Sequence, residues 1–147
     1  MNEMLIFKSM KAGHTMMNFS KRFKAFMKSQ ISENDLSFAE GVTIVSLLET
    51  DGLSAEMLLR KVSYDKSVMT RTLQSLEEKN LVMRERNPGD GRSWIFTLSE
   101  EGTSQAKFVM EVMKKWSQIV CNGMSESEIE NLNAILEQLV ENASKGE

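Results

Sequence analysis

The chain has 147 residues, the length of about one domain, and its 41% hydrophobic and 27% charged residues are typical of a globular protein. Its net charge of −3 indicates no partner by itself, while one cysteine (Cys121) and one histidine (His14) exclude a disulfide framework and a Cys- or His-rich metal centre. The longest apolar run, at residues 4–7, is too short for a membrane span, and it has neither a basic segment before it nor a small-residue cleavage site after it, as a signal peptide would. We therefore expect a soluble cytoplasmic protein without metal or cofactor.

The N-terminal segment is predicted to be an amphipathic helix over residues 4–30. Its apolar side chains recur at helical spacing, and basic side chains lie on the other side. We interpret the apolar stripe as core and dimer packing, and His14 as a surface or packing residue. The stripe consists of Met16, Phe19, Phe23 and Phe26.

Three shorter helices are predicted next. The first covers residues 37–49, and Asp51-Gly52 ends it. The second is capped by Ser54 and ends near Val62, and the third is capped by Asp65 and runs to about Lys79. In the third helix one face is apolar and the opposite face is polar. The apolar residues are Met69, Leu73 and Leu76, and the polar ones are Ser67, Thr70, Arg71 and Gln74.

A β-hairpin follows, because the hydrophobic period changes from 3.6 to 2. Residues 81–86 and 93–98 are predicted strands, joined by a tip of five or six residues that contains Pro88. A long helix then begins near Ser99 and ends at Gly123, with an apolar stripe of Phe108, Val112, Trp116 and Ile119. The final helix begins with a capping box at residues 125–128 and carries Ile129, Leu132, Leu136 and Leu139 on one stripe.

This order predicts a mainly α fold with a small β-hairpin wing, in a single domain over residues 1–147. A winged helix-turn-helix covers about residues 36–99, and terminal dimerisation helices cover about 4–30 and 103–143, because their apolar stripes exceed what a small winged module can cover. The helix that begins at Lys66 would enter the major groove of DNA, with Lys66 near the phosphates. The hairpin tip would reach phosphates or the minor groove.

Charge along the chain is uneven. Residues 60–92 hold eight basic and five acidic side chains, whereas residues 31–59 hold six acidic and no basic ones. A basic segment between acidic ones is typical of a DNA-binding module flanked by helices that do not contact DNA. Chance clustering on solvated faces explains the charge pattern equally well, so the motifs must decide.

The motifs resemble the MarR family of bacterial regulators over nearly the whole chain. The resemblance rests on residues 67–77 (SVMTRTLQSLE), 80–84 (NLVMR), 90–93 (DGRS) and 97–102 (TLSEEG). It implies a homodimer whose first and last helices interlock, a wing arginine (Arg92) in the minor groove, and Asp90 as a brace of the wing tip. It also implies a small-molecule pocket between the dimer helices and the winged module, where Met16, Phe19 and Phe23 are candidate lining residues.

Two positions depart from the family pattern. Asn87-Pro88-Gly89 stands where the wing commonly has further basic residues, which weakens the expected grip on phosphates. Asn80 stands where glycine is frequent, and asparagine tolerates the left-handed end of a helix. Peroxide-sensing relatives carry their reactive cysteine in the first helix, so we interpret Cys121, near the end of the long helix, as structural.

The predicted DNA-binding residues are Lys66, Ser67, Thr70, Arg71, Gln74, Arg86 and Arg92. Arg84 and Arg86 share one strand face, and pairing with Asp90 or Glu85 is the alternative to a DNA contact. An enzyme is excluded on inventory, because the chain has neither a nucleophile–His–acid set nor a phosphate-binding glycine loop. We expect a dimeric, ligand-responsive repressor that binds an inverted-repeat operator, with double-stranded DNA, a second copy and a small-molecule effector as partners and no membrane. The acidic pI of about 5.4 keeps one alternative open, a helical protein-interaction module whose wing does not bind DNA.

Overall fold

The computed structural model of the protein describes residues 1–146, and it is mainly helical with one antiparallel hairpin, which confirms the predicted fold class. The elements in chain order are α1 (Glu3–Ile31), a 3₁₀ turn (Ser32–Asn34), α2 (Phe38–Glu49), α3 (Ala55–Lys61), α4 (Lys66–Glu78), β1 (Val82–Asn87), β2 (Asp90–Leu98), α5 (Glu100–Val120) and α6 (Glu126–Lys145).

The chain divides into two compact units. The first, Met1–Lys114, contains the hydrophobic core, to which α2, α4 and α5 each contribute three buried residues. In the second, from Lys115 onward, none of the described residues is buried. The single domain expected over residues 1–147 stays a prediction. No helix in the described part combines the length and the apolar stretch that crossing a bilayer requires.

The predicted helix starts are confirmed by their capping bonds. The Ser54 hydroxyl accepts from the Met57 amide at 3.2 Å, and the Asp65 carboxylate accepts from the Val68 amide at 2.8 Å. Each bond satisfies one of the amides that a helix start leaves without an intrahelical partner. In α4, Met69, Leu73 and Leu76 are buried as predicted. The opposite face of α4 is therefore turned away from the core.

The junction from α4 to α5 explains two features of the sequence. Asn80 has φ +57°, and the amides of Asn80 and Leu81 donate to carbonyls of the last turn of α4, which confirms the left-handed helix end. Ser99 then joins the junction to α5, because its hydroxyl donates to the Asn80 carbonyl and accepts from the Gly102 amide. A Cβ on Gly102 would lie 1.8 Å from the Leu81 carbonyl oxygen, so only glycine fits there.

The hairpin tip is tighter than predicted. The predicted tip length of five or six residues is wrong. The strands continue to Asn87 and Asp90, which pair directly and leave only Pro88-Gly89 between them. The irregularity falls after the Arg86–Trp94 pair, where Arg92 and its two neighbours on β2 have no residue opposite them in the strand register of β1. The amide groups of Leu53 and Phe96 also exchange two hydrogen bonds, which attaches the segment before α3 to β2. The hairpin therefore has a tight turn, and its base is hydrogen-bonded to the segment that leads into α3.

The predicted apolar stripe of α5 is only partly the buried one. Val112 is buried, but Phe108 and Ile119 are exposed and Trp116 is half-buried. The buried side of α5 is instead formed by Gly102, Ala106, Val109 and Val112. Helix α5 therefore carries apolar residues on two sides, and periodicity alone does not say which side meets the core of one chain.

Candidate nucleic-acid interface

The outward face of α4 carries the polar side chains that the sequence places there. Lys66, Ser67, Thr70, Arg71 and Gln74 are all exposed. Two hydroxyls bond locally: Ser67 donates to the Asp65 carboxylate at 2.8 Å, and Thr70 donates to the Lys66 carbonyl at 2.8 Å. Each hydroxyl oxygen keeps lone pairs for a further acceptor contact. The face is therefore ordered and still able to form hydrogen bonds.

Asp65 organises the start of this helix. The hydrogen bonds from the Val68 amide and the Ser67 hydroxyl hold the pKa of the Asp65 carboxyl below its usual range, so Asp65 is ionised at neutral pH. A carboxylate at a helix start satisfies its free amides and complements the positive end of the helix dipole. The positive charge of Arg71 makes a smaller contribution to the lowered pKa of Asp65.

The wing presents Arg92 near the start of β2, in a segment held by local hydrogen bonds. The Asp90 carboxylate accepts from the Arg92 amide at 3.1 Å, and the Asn87 side-chain amide donates to the Ser93 hydroxyl at 3.1 Å. The side chain of Arg92 is exposed. The Asp90 contact holds the backbone that carries Arg92, which is the geometry that a tip-bracing residue requires. The minor-groove contact of Arg92 and the bracing role of Asp90 stay predictions.

Arg84 and Arg86 have partners that the sequence did not indicate. Pairing with Asp90 or Glu85 is wrong: the Arg84 guanidinium pairs with Glu77 at 3.1 Å, and Arg86 donates to the Gly91 carbonyl at 2.9 Å. Both guanidinium groups also lie over the ring of Trp94, with their central carbons 4.5 Å (Arg84) and 4.1 Å (Arg86) from the ring centroid. Trp94 is thus a site residue that sequence reasoning missed, since only the strand register shows that it faces Arg86.

A cleft of about 780 Å³ lies between α3, α4 and the hairpin. Thr70 and Gln74 line it from α4, and Arg84 and Trp94 line it from the hairpin, so the two elements open onto one surface. The candidate pocket residues lie elsewhere. Met16 and Phe19 are exposed on α1, and Phe23 is half-buried against the edge of Phe38 at 5.6 Å between ring centroids. The cleft is not lined by Met16, Phe19 or Phe23.

A buried carboxylate that contacts α4 and its C-terminal cap was also missed by the sequence analysis. The Glu40 side chain is 5% exposed and accepts from the Ser37 amide (2.8 Å), the Ser75 hydroxyl (2.6 Å) and the Lys79 ammonium (3.0 Å). Burial raises the pKa of Glu40, but these hydrogen bonds and the charge of Lys79 outweigh it and hold that pKa below its usual range. The Ser37-x-x-Glu40 spacing announces a capping box, which could have drawn attention to Glu40.

Other candidate chemistry is sparse. Within residues 1–146, no three His, Cys, Asp or Glu side chains come together as a set that could hold a metal ion. Cys121 is a free, half-buried cysteine. The arrangement is therefore one of a polar helix face and a cationic wing, and its chemistry is hydrogen bonding and charge.

Sequence comparison agrees with this geometry. The model of the MarR family matches residues 36–94. The HTH-type transcriptional regulator BilQ of Clostridium symbiosum is 23% identical over 121 residues, which cover 82% of this chain and 84% of BilQ. The HTH-type transcriptional repressor NicR of Pseudomonas putida is 20% identical over 129 residues, which cover 88% of this chain and 82% of NicR.

Solved structures share the fold. A SlyA-like transcription regulator from Listeria monocytogenes is 17% identical with a TM-score of 0.83, covering 90% of this chain and 88% of the regulator. Bordetella bronchiseptica BpsR, whose structure concerns regulation of its DNA binding by 6-hydroxynicotinic acid, is 18% identical with a TM-score of 0.77. The structural match covers 88% of this chain and 98% of BpsR. At these identities the likeness concerns the fold alone.

Proposed function

We propose that this chain, which belongs to the MarR family of transcriptional regulators, acts as a homodimer that binds an inverted-repeat operator and represses transcription until a small-molecule effector binds. It would act in the cytoplasm, as a regulator and not as an enzyme. The observation that carries the proposal is the exposed polar face of α4 beside a wing that presents Arg92. A helix of this kind fits the major groove, while the wing reaches along the duplex.

Exposed apolar side chains on the terminal helices support the dimer. On α1 they include Met4, Phe7, Met10 and Met17, and on α6 they include Leu132, Ile135, Leu136 and Leu139. Large apolar side chains left exposed together on one helix are typical of an interface. We expect a sedimentation mass about twice the 16.7 kDa of one chain at micromolar concentration. A mass of one chain would refute the dimer.

Dimer symmetry predicts the form of the operator. Two recognition helices related by a two-fold axis would read two half-sites whose centres lie about 10 bp, or roughly 34 Å, apart. A footprint on fragments that the protein selects from a random pool should therefore have dyad symmetry. One chain per site, or a footprint without symmetry, would contradict this arrangement.

The roles of Arg71 and Arg92 are separable by experiment. Arg71→Ala should cost about 1–3 kcal/mol and relax the preference at one base position in each half-site, because a guanidinium can bridge guanine O6 and N7. Arg92→Ala should weaken binding evenly across base substitutions and reduce the slope of log K against log salt by about one unit per chain. The measurements are salt titrations and single-base operator scans.

Arg22→Ala serves as the control, since Arg22 is an exposed arginine on α1, outside the α4 face and the wing. It should leave both the base preferences and the salt slope unchanged. Unchanged affinity in Arg71→Ala and in Arg92→Ala would mean that this face does not contact DNA. The alternative function, a helical protein-interaction module with the acidic pI of 5.4, would then be favoured.

Effector control is supported by the relative BpsR, whose DNA binding is described as regulated by 6-hydroxynicotinic acid. For this chain we propose a small organic effector and leave its identity to a screen. Met16, Phe19 and Phe23 remain the candidate pocket residues. A screen for compounds that shift the melting temperature and release DNA tests this part of the proposal, and Phe23→Ala should abolish the shift if the pocket lies there.

A further inference from the structure

Besides its buried apolar side, α4 makes directional contacts on the flank next to Arg71, of a kind that the apolar core does not provide. Met69, Leu73 and Leu76 hold the helix against the module, but burial of apolar area is non-directional and permits small rotations of a helix about its axis. Hydrogen bonds to a buried carboxylate, by contrast, require particular donor positions. Glu40 receives two such bonds from α4, one from Ser75 and one from Lys79.

These contacts lie close to the residues of α4 that face outward. Ser75 lies one turn after Arg71, so its bond to Glu40 fixes the rotation of the same helical segment that carries Arg71 and Gln74 outward. Lys79, the residue that caps the end of α4, also donates to the backbone carbonyl of Asp35, just before α2. The end of α4 is thus tied both to the first turn of α2 and to the segment that precedes it.

We propose that Glu40 is a positioning residue for DNA recognition, which sets the rotation of α4 in the major groove through Ser75 and Lys79. This proposal rests on the DNA-binding function proposed above. In this proposal Glu40 does not touch DNA itself, because its side chain is only 5% exposed. Its effect would reach the DNA only through the direction in which the outward side chains of α4 point.

Such a role has a specific signature. Contacts to phosphates tolerate small rotations and carry no sequence information, whereas hydrogen bonds to base edges depend on exact side-chain placement. A loosened α4 should therefore lose affinity for its preferred sequence and keep its affinity for other DNA. A role in stability alone would reduce the folded fraction, and with it both affinities by the same factor.

The test uses Glu40→Gln in the full chain. The probes are a duplex that the wild-type protein selects from a random pool and a scrambled duplex of the same composition. At 25 °C, with folding of both proteins verified by circular dichroism, we expect the variant to bind the selected duplex about tenfold more weakly, comparable to the loss of one base contact. Affinity for the scrambled duplex should stay within about twofold.

Two further variants make the result decisive. Glu128→Gln is the matched control, because Glu128 occupies the same position of a capping box in α6, and it should leave both affinities unchanged. Ser75→Ala removes one bond to Glu40 while retaining the charge pair with Lys79, and it should reproduce part of the loss. In the double variant the two effects should not add, since both act through one contact.

A pH titration gives a second readout. The charged groups around Glu40 are Lys79 at the end of α4, Asp35 just after the 3₁₀ turn, and Arg71, which lines with Glu40 a second cleft, separate from the one beside the hairpin. The folded-state pKa of Glu40 lies below its ordinary value of 4.5, and as pH falls through that lower pKa, protonation of Glu40 should reduce the sequence preference of the wild type. Glu40→Gln should already have the reduced preference at pH 7.

The outcomes are distinct. A wild type that selects no sequence overturns both the DNA-binding proposal and this one. A wild type that selects a sequence, together with a Glu40→Gln variant that keeps the full preference or loses both affinities equally, overturns the positioning role alone. If Glu40→Gln does not fold, Ser75→Ala decides between the same outcomes.

Discussion

Two helices of this protein begin in the same way and have opposite environments. α2 and α6 each start with a capping box, Ser37 with Glu40 and Ser125 with Glu128, and in each the two bonds measure 3.2 and 2.8 Å. Seven residues of α2 are buried, whereas none of the described residues of α6 is. The local signal that begins a helix therefore says nothing about what will cover it.

The difference extends to the capping glutamates themselves. Glu128 is exposed and its carboxylate accepts from the Ser125 amide, while Glu40 makes the same cap and in addition binds Ser75 and Lys79 of α4. The same residue type at the same position thus closes a helix end in one case and joins two helices in the other. The difference follows from burial. A buried carboxylate needs further hydrogen-bond partners, so Glu40 joins two helices, whereas the exposed Glu128 only caps one.

The largest expected effect contrasts an apolar residue of each helix. Ile44→Ala in α2 should cost about 2–5 kcal/mol at every protein concentration, because Ile44 is fully buried within one chain. Leu136→Ala in α6 should act through the proposed partner, so its cost should shrink as the protein is diluted. Chemical denaturation over a hundredfold range of concentration measures both. An equal cost of Leu136→Ala at all concentrations would contradict a partner on α6.

The second effect compares the capping glutamates. Glu40→Ala should destabilise the fold by about 3 kcal/mol, because it removes three hydrogen bonds and leaves Lys79 without its buried partner. Glu128→Ala should cost less than about 1 kcal/mol, the value of an exposed cap. Urea denaturation at pH 7 gives both values. Equal losses would mean that the contacts with α4 add no stability.

The smallest effect concerns pH. The pKa of Glu40 lies below its usual value in the folded state, so its contribution to stability is complete above the unfolded-state value of 4.5. That contribution is lost as pH falls through the lower folded-state pKa. The free energy of unfolding of the wild type should therefore fall more steeply than that of Glu40→Gln between about pH 5 and pH 3. Parallel curves would show that Glu40 is not the group responsible.

Much of the fold could be predicted because its signals are local. The caps at Ser54 and Asp65 and the left-handed turn at Asn80 each close within a few residues, so the side chains concerned identify them. The change of period after α4 likewise predicted the hairpin. The exposed face of α4 followed from helical spacing alone, once the apolar residues at Met69 and Leu73 were assigned to the core.

What only the tertiary structure decided involves residues far apart in sequence. Glu40 meets Ser75 and Lys79 across 35 and 39 residues, and the α5 side that is buried depends on which neighbours pack there. Trp94 faces Arg86 only through the strand register, which the irregularity at residues 91–93 shifts. Periodicity specifies which residues share a face, but the partner of that face depends on how the elements pack, and no local pattern encodes this.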